Sequence, residues 1–258
     1  MARRVVVSGA ASGIGASLTR MLQEQGDEVV GVDLHGTAVC ADLSTEEGRA
    51  GAVAGVLEAA GGRVDAVVAC AGLSVPEPTA VRVNLFGAVA LLEGLRPALA
   101  EAGAPRAAVV GSITGTGVVD EQLVSACLAG DETAATARAR QMTDGGSGGL
   151  IYPSSKSALA QWVRARSVAP GWAGEGIALN VVAPGVVRTP MTEALLDDER
   201  MRAAMDEAVP MPLNGHAGPD AVAGALRWLV SAENTHVTGQ VLYVDGGAEA
   251  TLRGPGRF

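Results

Sequence analysis

The sequence predicts a single α/β domain built on a doubly wound parallel sheet with helices on both faces. Three observations predict it. Short runs rich in valine and alanine alternate with longer Ala/Leu segments of helical period. The short runs are apolar nearly throughout, as strands covered on both faces must be, instead of alternating polar and apolar. The 258 residues suffice for one large core, and no Gly/Ser/Pro-rich linker divides them.

Bulk properties exclude several classes. Net charge is −9, with 19 basic residues against 28 acidic ones, which argues against a nucleic-acid partner. Cys40, Cys70 and Cys127 are odd in number and widely spaced, which suits reduced thiols in a cytoplasmic protein. His35, His216 and His236 show no metal-ligand spacing with each other or with cysteine, so no metal is expected. The start, MARRVVVSGAASGIG, has too short an apolar run for a signal peptide. No stretch approaches the roughly 18 uninterrupted apolar residues of a membrane span.

The first strand, Arg4–Ser8, leads into Gly9, Gly13 and Gly15 and then a helix over 14–25. Three glycines at a strand-to-helix turn let the backbone approach a pyrophosphate, and the helix N-terminus supplies free N–H groups and a favourable dipole. With a strand before and a helix after, the turn, including Ser12 and Ile14, predicts a dinucleotide site. The second strand, 28–32, ends at Asp33, eighteen residues past Gly15. A carboxylate there accepts hydrogen bonds from ribose hydroxyls and repels a 2′-phosphate. The residues after it, Leu34, His35 and Gly36, bring no certain cation, so NAD(H) is expected over NADP(H).

Further along, a helix is expected over 45–60, a strand at Ala66–Ala69, a helix over 80–100 and a strand over 107–110. About 40 residues then separate that strand from Tyr152, and an insertion is expected at about 117–149. Its acidic, Ala-rich part over 120–140 reads as helical, and the Gly145-Gly146-Ser147-Gly148-Gly149 run reads as a flexible hinge. The insertion is either a surface excursion or an active-site wall or oligomer contact. A helix over 154–168, a strand over 178–182, a helix over 219–230 and a strand at Val241–Val244 complete the alternation.

Tyr152 and Lys156 carry the chemical expectation. Lys156 is the only lysine; the other eighteen basic residues are arginine. At i and i+4 the two share one helical face. Free tyrosine, with a pKa near 10, is a poor base at pH 7, and a neighbouring cation lowers that by roughly 1–3 units. A compact ammonium suits this role better than a guanidinium.

The glycine spacing G-x-x-x-G-x-G followed by Tyr-x-x-x-Lys resembles the short-chain dehydrogenase/reductase family, over nearly the whole chain. The resemblance implies a Rossmann-type sheet of about seven strands and a set of site residues. It implies that Ser112, in GSITG, holds the substrate oxygen, with Thr114 as the runner-up hydroxyl. It implies that Asn84, in VNLFG, holds a water in a proton relay to Lys156; a backbone-satisfying role for Asn84 can coexist with this. Asp42 and Leu43 would edge the adenine, and Ala71 and Gly72 would lie along the cofactor, although Ala69 and Cys70 depart from the family's Asn-Asn. Pro184, Gly185 and Val187 would pack on the nicotinamide, and Thr189 would bond its amide or a phosphate.

The long gap from Ser112 to Tyr152, with ADLSTEEGR, CAGL and the C-terminal R-x-x-x-x-F, resembles the bacterial 3α-hydroxysteroid dehydrogenase/carbonyl reductase branch. The resemblance implies a secondary alcohol or ketone on a bulky hydrophobic substrate. Aryl or terpenoid alcohols, as in the coniferyl-alcohol dehydrogenases, are the alternative. A 3-oxoacyl thioester reductase fits less well with Asp33 and the acidic total, and a non-catalytic NAD(H) sensor fits least. A substrate lid is expected at about 190–213, where Met191, Leu195 and further apolar residues either line a pocket or pack the lid onto the body. The family resemblance also implies a homodimer or homotetramer.

Overall fold

Seven parallel strands form the sheet of the computed structural model, which describes residues 2–257. Along the chain run β1 (Arg4–Ser8), α1 (Gly13–Glu24), β2 (Glu28–Asp33), β3 (Val39–Cys40), α2 (Glu46–Ala59), β4 (Ala66–Ala69) and α3 (Pro78–Val81). A π-helical turn, Arg82–Gly87, joins α3 to α4 (Ala88–Ala100). There follow β5 (Arg106–Val110), a 3₁₀ turn at Ile113–Thr116, α5 (Glu121–Leu128), α6 (Glu132–Asp144) and α7 (Ile151–Arg166). The chain ends with β6 (Ala178–Pro184), α8 (Glu193–Asp197), α9 (Glu199–Ala208), α10 (Pro219–Leu229), β7 (Val241–Val244) and α11 (Ala248–Arg253).

The strand order is β3-β2-β1-β4-β5-β6-β7. Direction of winding reverses between β1 and β4, and ligands of such sheets bind in the crevice at that point, outside the strand C-termini. Ser8 pairs in register with Val32 on one side and Ala69 on the other, so the three strand ends finish level at the crevice. Two apolar layers cover the sheet. One joins Val6, Val67 and Val109 to Leu92, Leu95 and Leu159; the other joins Val5, Val7 and Val68 to Leu18, Leu22 and Leu226.

The helix expected over 80–100 is interrupted. Pro78–Ala100 is continuous as a helical run and, by length and composition, apolar enough to cross a membrane, yet Leu91, Leu92, Leu95 and Leu99 on it are core residues. Its π turn carries Asn84, and such turns gather at functional sites. The two-residue β3 was too short to give a sequence pattern.

Residues 117–149 form a helical hairpin laid on α7. Asp120 and Asp131 cap α5 and α6, accepting from the N–H groups of Leu123 and Ala134, both at 2.8 Å. Arg138 bonds the Asp120 carboxylate at 2.6 Å, Arg49 bonds Glu132, and the Ser154 hydroxyl accepts from the Asp120 N–H. The glycine run is no loose hinge. Gly146 takes a positive φ of 77°, Ser147 N–H donates to Met142 O, and Gly148 is buried against Pro76. Close helix-to-helix turning, not slack, is what those glycines supply.

Candidate active site

One cleft of about 480 Å³ opens at the crevice. At its phosphate end Gly9, Ser12, Gly13, Ile14 and Gly15 form the lining. Gly15 is obligatory: a Cβ there would stand 2.1 Å from Gly9 O. Gly9 itself has a φ of 68°. The Ser12 hydroxyl makes no capping bond to α1, and no acidic residue occupies the first turn. Free N–H groups, a free hydroxyl and an uncompensated helix dipole suit a diphosphate.

At the adenosine end Asp33, Asp42 and Leu43 line the cleft. Asp33 Oδ2 accepts from Ala11 N–H at 3.0 Å and Oδ1 from Leu34 N–H at 2.7 Å, so one carboxylate ties the glycine turn to the end of β2. Its remaining lone pairs are available to ribose hydroxyls. Asp42 is held below the usual carboxylate range by bonds from the Ser44 hydroxyl and N–H. Among the described lining residues Lys156 is the only Lys or Arg, and nothing offers a 2′-phosphate a charge partner. The residues present therefore fit an NAD-type dinucleotide.

Ala71, Gly72, Pro184, Gly185, Val187 and Thr189 form the walls between the two ends. The Ser8 hydroxyl accepts from the N–H groups of Cys70 and Ala71 at 3.1 Å, holding the end of β4 in place. The Met211 thioether fills the space beside Gly185 and accepts from Val186 N–H at 3.2 Å. Thr192 bonds Val187 O and sits against Thr189, which in turn touches the Gly13 position. Ser8 and Thr192 were not identified from the sequence. The signals available were a serine directly before the glycine turn and the Thr189-x-x-Thr192 spacing.

Ser112, Tyr152 and Lys156 also line the cleft. Ser112 follows β5 in extended conformation; Tyr152 and Lys156 lie on one face of α7. The Tyr152 phenol stands above its ordinary pKa because burial dominates, with a hydrogen bond from Ser112 acting the other way. This differs from the sequence expectation that the cation would govern the phenol. The Lys156 ammonium donates to Val110 O at 2.8 Å and lies 5.9 Å from the Tyr152 ring centroid. Burial lowers Lys156 to about 8. Cys70, next to it, is pushed up to about 12 by burial, which makes it an inert thiol.

Three predicted site residues lie off the cleft surface. Asn84 is fully buried: its Oδ1 accepts from Leu73 N–H at 2.8 Å, and its Nδ2 donates to Leu73 O at 2.9 Å and Ser155 Oγ at 3.0 Å. The backbone-satisfying reading of Asn84 is thus present. The space over Gly72 still joins it to the lysine, because a Cβ there would meet Asn84 Oδ1 at 3.2 Å and Lys156 Nζ at 3.3 Å. Thr114 stands behind Ser112, with Oγ···Oγ1 at 2.9 Å. Leu195 points to solvent at 38% exposure while its neighbour Leu196 is buried at 4%, because the α8 register turns the latter inward. Met191 does line the cleft. No residue of 117–149 lines it. Among the described residues no three or more His, Cys, Asp or Glu side chains are grouped to hold a metal.

The strand order and the glycine turn are those of a dinucleotide-binding fold, and Ser112, Tyr152 and Lys156 line the same cleft. The chain belongs to the short-chain dehydrogenase/reductase family. A 3-alpha-hydroxysteroid dehydrogenase/carbonyl reductase of Comamonas testosteroni is 37% identical over 255 residues, covering 96% of this chain and 97% of the relative. The crystal structure of the 3-alpha-hydroxysteroid dehydrogenase from Pseudomonas sp. B-0831 complexed with NADH matches with a TM-score of 0.90 at 40% identity, covering 99% and 100% of the two chains. An uncharacterized short-chain type dehydrogenase/reductase of Sinorhizobium fredii is 32% identical over 95% of this chain, which spans 43% of that relative. A family model described as Enoyl-(Acyl carrier protein) reductase matches residues 133–249.

Proposed function

We propose that the protein is an NAD(H)-dependent oxidoreductase interconverting a secondary alcohol and a ketone on a bulky hydrophobic substrate of hydroxysteroid or related carbonyl type. One observation carries this reading: a proton-transfer group, Tyr152, and the dinucleotide cradle share a single cleft, with Asp33 at the far end. The names of the Comamonas relative and the Pseudomonas structure support the substrate class and the cofactor. Free thiols at Cys40, Cys70 and Cys127 accord with a cytoplasmic setting. Exposed Trp228 on α10 and Leu242 on the edge strand β7 accord with a homodimer or homotetramer.

When bound, the nicotinamide would donate or accept the hydride. The chain supplies everything else. Tyr152 gives its phenolic proton to the carbonyl oxygen in reduction and takes the hydroxyl proton in oxidation. Ser112 donates a hydrogen bond to the same oxygen and so stabilises the alkoxide character that develops there. Lys156 would hold the nicotinamide ribose and stabilise the phenolate. Asn84, with one Oδ1 lone pair left near Lys156, would hold a water that returns the proton from solvent. Asp33 would read the ribose; Pro184, Gly185, Val187 and Thr189 would seat the nicotinamide end; and residues 190–213, through Met191, would cover the substrate.

A screen of cofactor oxidation tests the reading. NADH and NADPH are each offered with ketosteroids, aryl ketones, terpenoid ketones, quinones and acyl thioesters. NADH consumption with a bulky cyclic ketone is expected; acyl thioesters with NADPH as the sole active pair would overturn it.

A further inference from the structure

We propose that Thr114 is a positioning residue that commits Ser112 to donating its hydroxyl proton into the cleft, an inference that rests on the oxidoreductase reading above. Ser112 caps the 3₁₀ turn Ile113–Thr116, so its hydroxyl oxygen accepts from Thr114 N–H at 3.2 Å. The Thr114 hydroxyl stands 2.9 Å from the same oxygen. A serine hydroxyl has two lone pairs and one proton. With Thr114 filling both lone pairs, one through its backbone and one through its side chain, the proton is the only capacity left to Ser112. Ser112 and Tyr152 line the same cleft, and a hydrogen bond from Ser112 acts to lower the Tyr152 phenol against the effect of burial.

The reverse arrangement, with Ser112 donating to Thr114, carries two penalties. It would aim a lone pair at the incoming carbonyl oxygen. It would also leave the Thr114 proton without a protein acceptor, because among the described residues Ser112 is the only hydrogen-bond partner of that hydroxyl. Local packing holds the arrangement still. The Thr116 hydroxyl is bonded to Ile113 O at 2.8 Å, and a Cβ on Gly115 would meet Ser157 N of α7 at 3.0 Å, so the turn lies hard against the helix bearing Tyr152 and Lys156. Thr114 itself does not line the cleft. Its influence on a bound oxygen therefore runs through Ser112, and hydrogen bonds in such a chain polarise one another.

Thr114→Val keeps the shape and the backbone donor but removes the hydroxyl; Thr114→Ser keeps both donors. Thr114→Val is expected to lower kcat about tenfold with the KM for NADH unchanged, and to move the pH profile of alcohol oxidation upward by about half a unit. Thr114→Ser should restore both. A Thr114→Val enzyme with unaltered kcat and pH profile overturns the proposal, as does an equal defect in Thr114→Ser. Phenolate absorbance provides a reading independent of turnover. In a Tyr243→Phe background Tyr152 is the only tyrosine, and Thr114→Val should raise its titration midpoint; an unmoved midpoint overturns the proposal. Wild-type protein inactive on every alcohol and ketone would instead overturn the oxidoreductase reading, and the absorbance titration would still decide the role of Thr114.

Discussion

Lys156 is 3% exposed and bonded to a main-chain carbonyl, in a chain whose every other basic side chain is arginine. A guanidinium has five donors to satisfy and keeps its charge at any ordinary pH; an ammonium needs fewer partners and shifts its pKa readily when buried. The slot between Val110, Gly72 and Tyr152 thus selects lysine by size and donor count. Asp33 presents the complementary case, an acid whose two main-chain bonds fix its direction and leave capacity for ribose hydroxyls. Asp33→Ser should raise the KM for NADH roughly tenfold, the scale of a lost charge-assisted bond, and narrow the preference against NADPH. Steady-state kinetics with both cofactors provide the check, and an unchanged cofactor ratio would mean that another group reads the ribose.

Among the elements, those with a strong local signal were the ones legible in the sequence. The strand ending at Ser8, the glycine turn and α1 follow from residues that are neighbours along the chain, and so does the shared face of Tyr152 and Lys156. Relations set by tertiary packing were not legible. The π turn that carries Asn84, the placement of Thr114 behind Ser112 and the inward turn of Leu196 in place of Leu195 depend on what each element meets. The glycines at 145–149 read as slack because composition does not distinguish a hinge from a left-handed helix cap. The segment over α8 and α9 shows the same limit, since α9 has no buried residue of its own. It is tied down by Asp206, which meets His216 Nε2 at 2.6 Å, and by Arg202, which donates to Leu196 O. His216 precedes Ala217, whose main chain pairs with the Val187 region of the cleft. His216→Ala should speed amide exchange across residues 199–208 by about tenfold without altering β5 or β6, as befits a locally opening unit. Equal exchange in the two proteins would show that the pair does not hold α9.

For the whole molecule, burying a cation at the centre of the fold couples stability to pH. The folded-state pKa of Lys156, about 8, lies below its ordinary 10.5, so the unfolded chain binds the proton more tightly. Its contribution to stability is therefore unfavourable near neutrality and becomes less so as pH rises from about 8 towards 10.5. Lys156→Met should be more stable than wild type at pH 7 in urea unfolding, and the gap should narrow as pH rises through that window. A gap that stays constant or widens would mean the ammonium is not desolvated. In the proposed function the larger organisation serves one purpose: a reversal of sheet winding opens a crevice, the glycine turn and Asp33 prepare one end of it, and Ser112 with α7 prepares the other. The most direct test of that account is pre-steady-state mixing of Tyr152→Phe protein and NADH with a ketone that the wild type reduces. NADH should bind with wild-type affinity while its oxidation slows by about a thousandfold or more, the scale of a lost general acid. Oxidation at the wild-type rate would contradict the role assigned to Tyr152, and with it the chemistry assigned to the cleft.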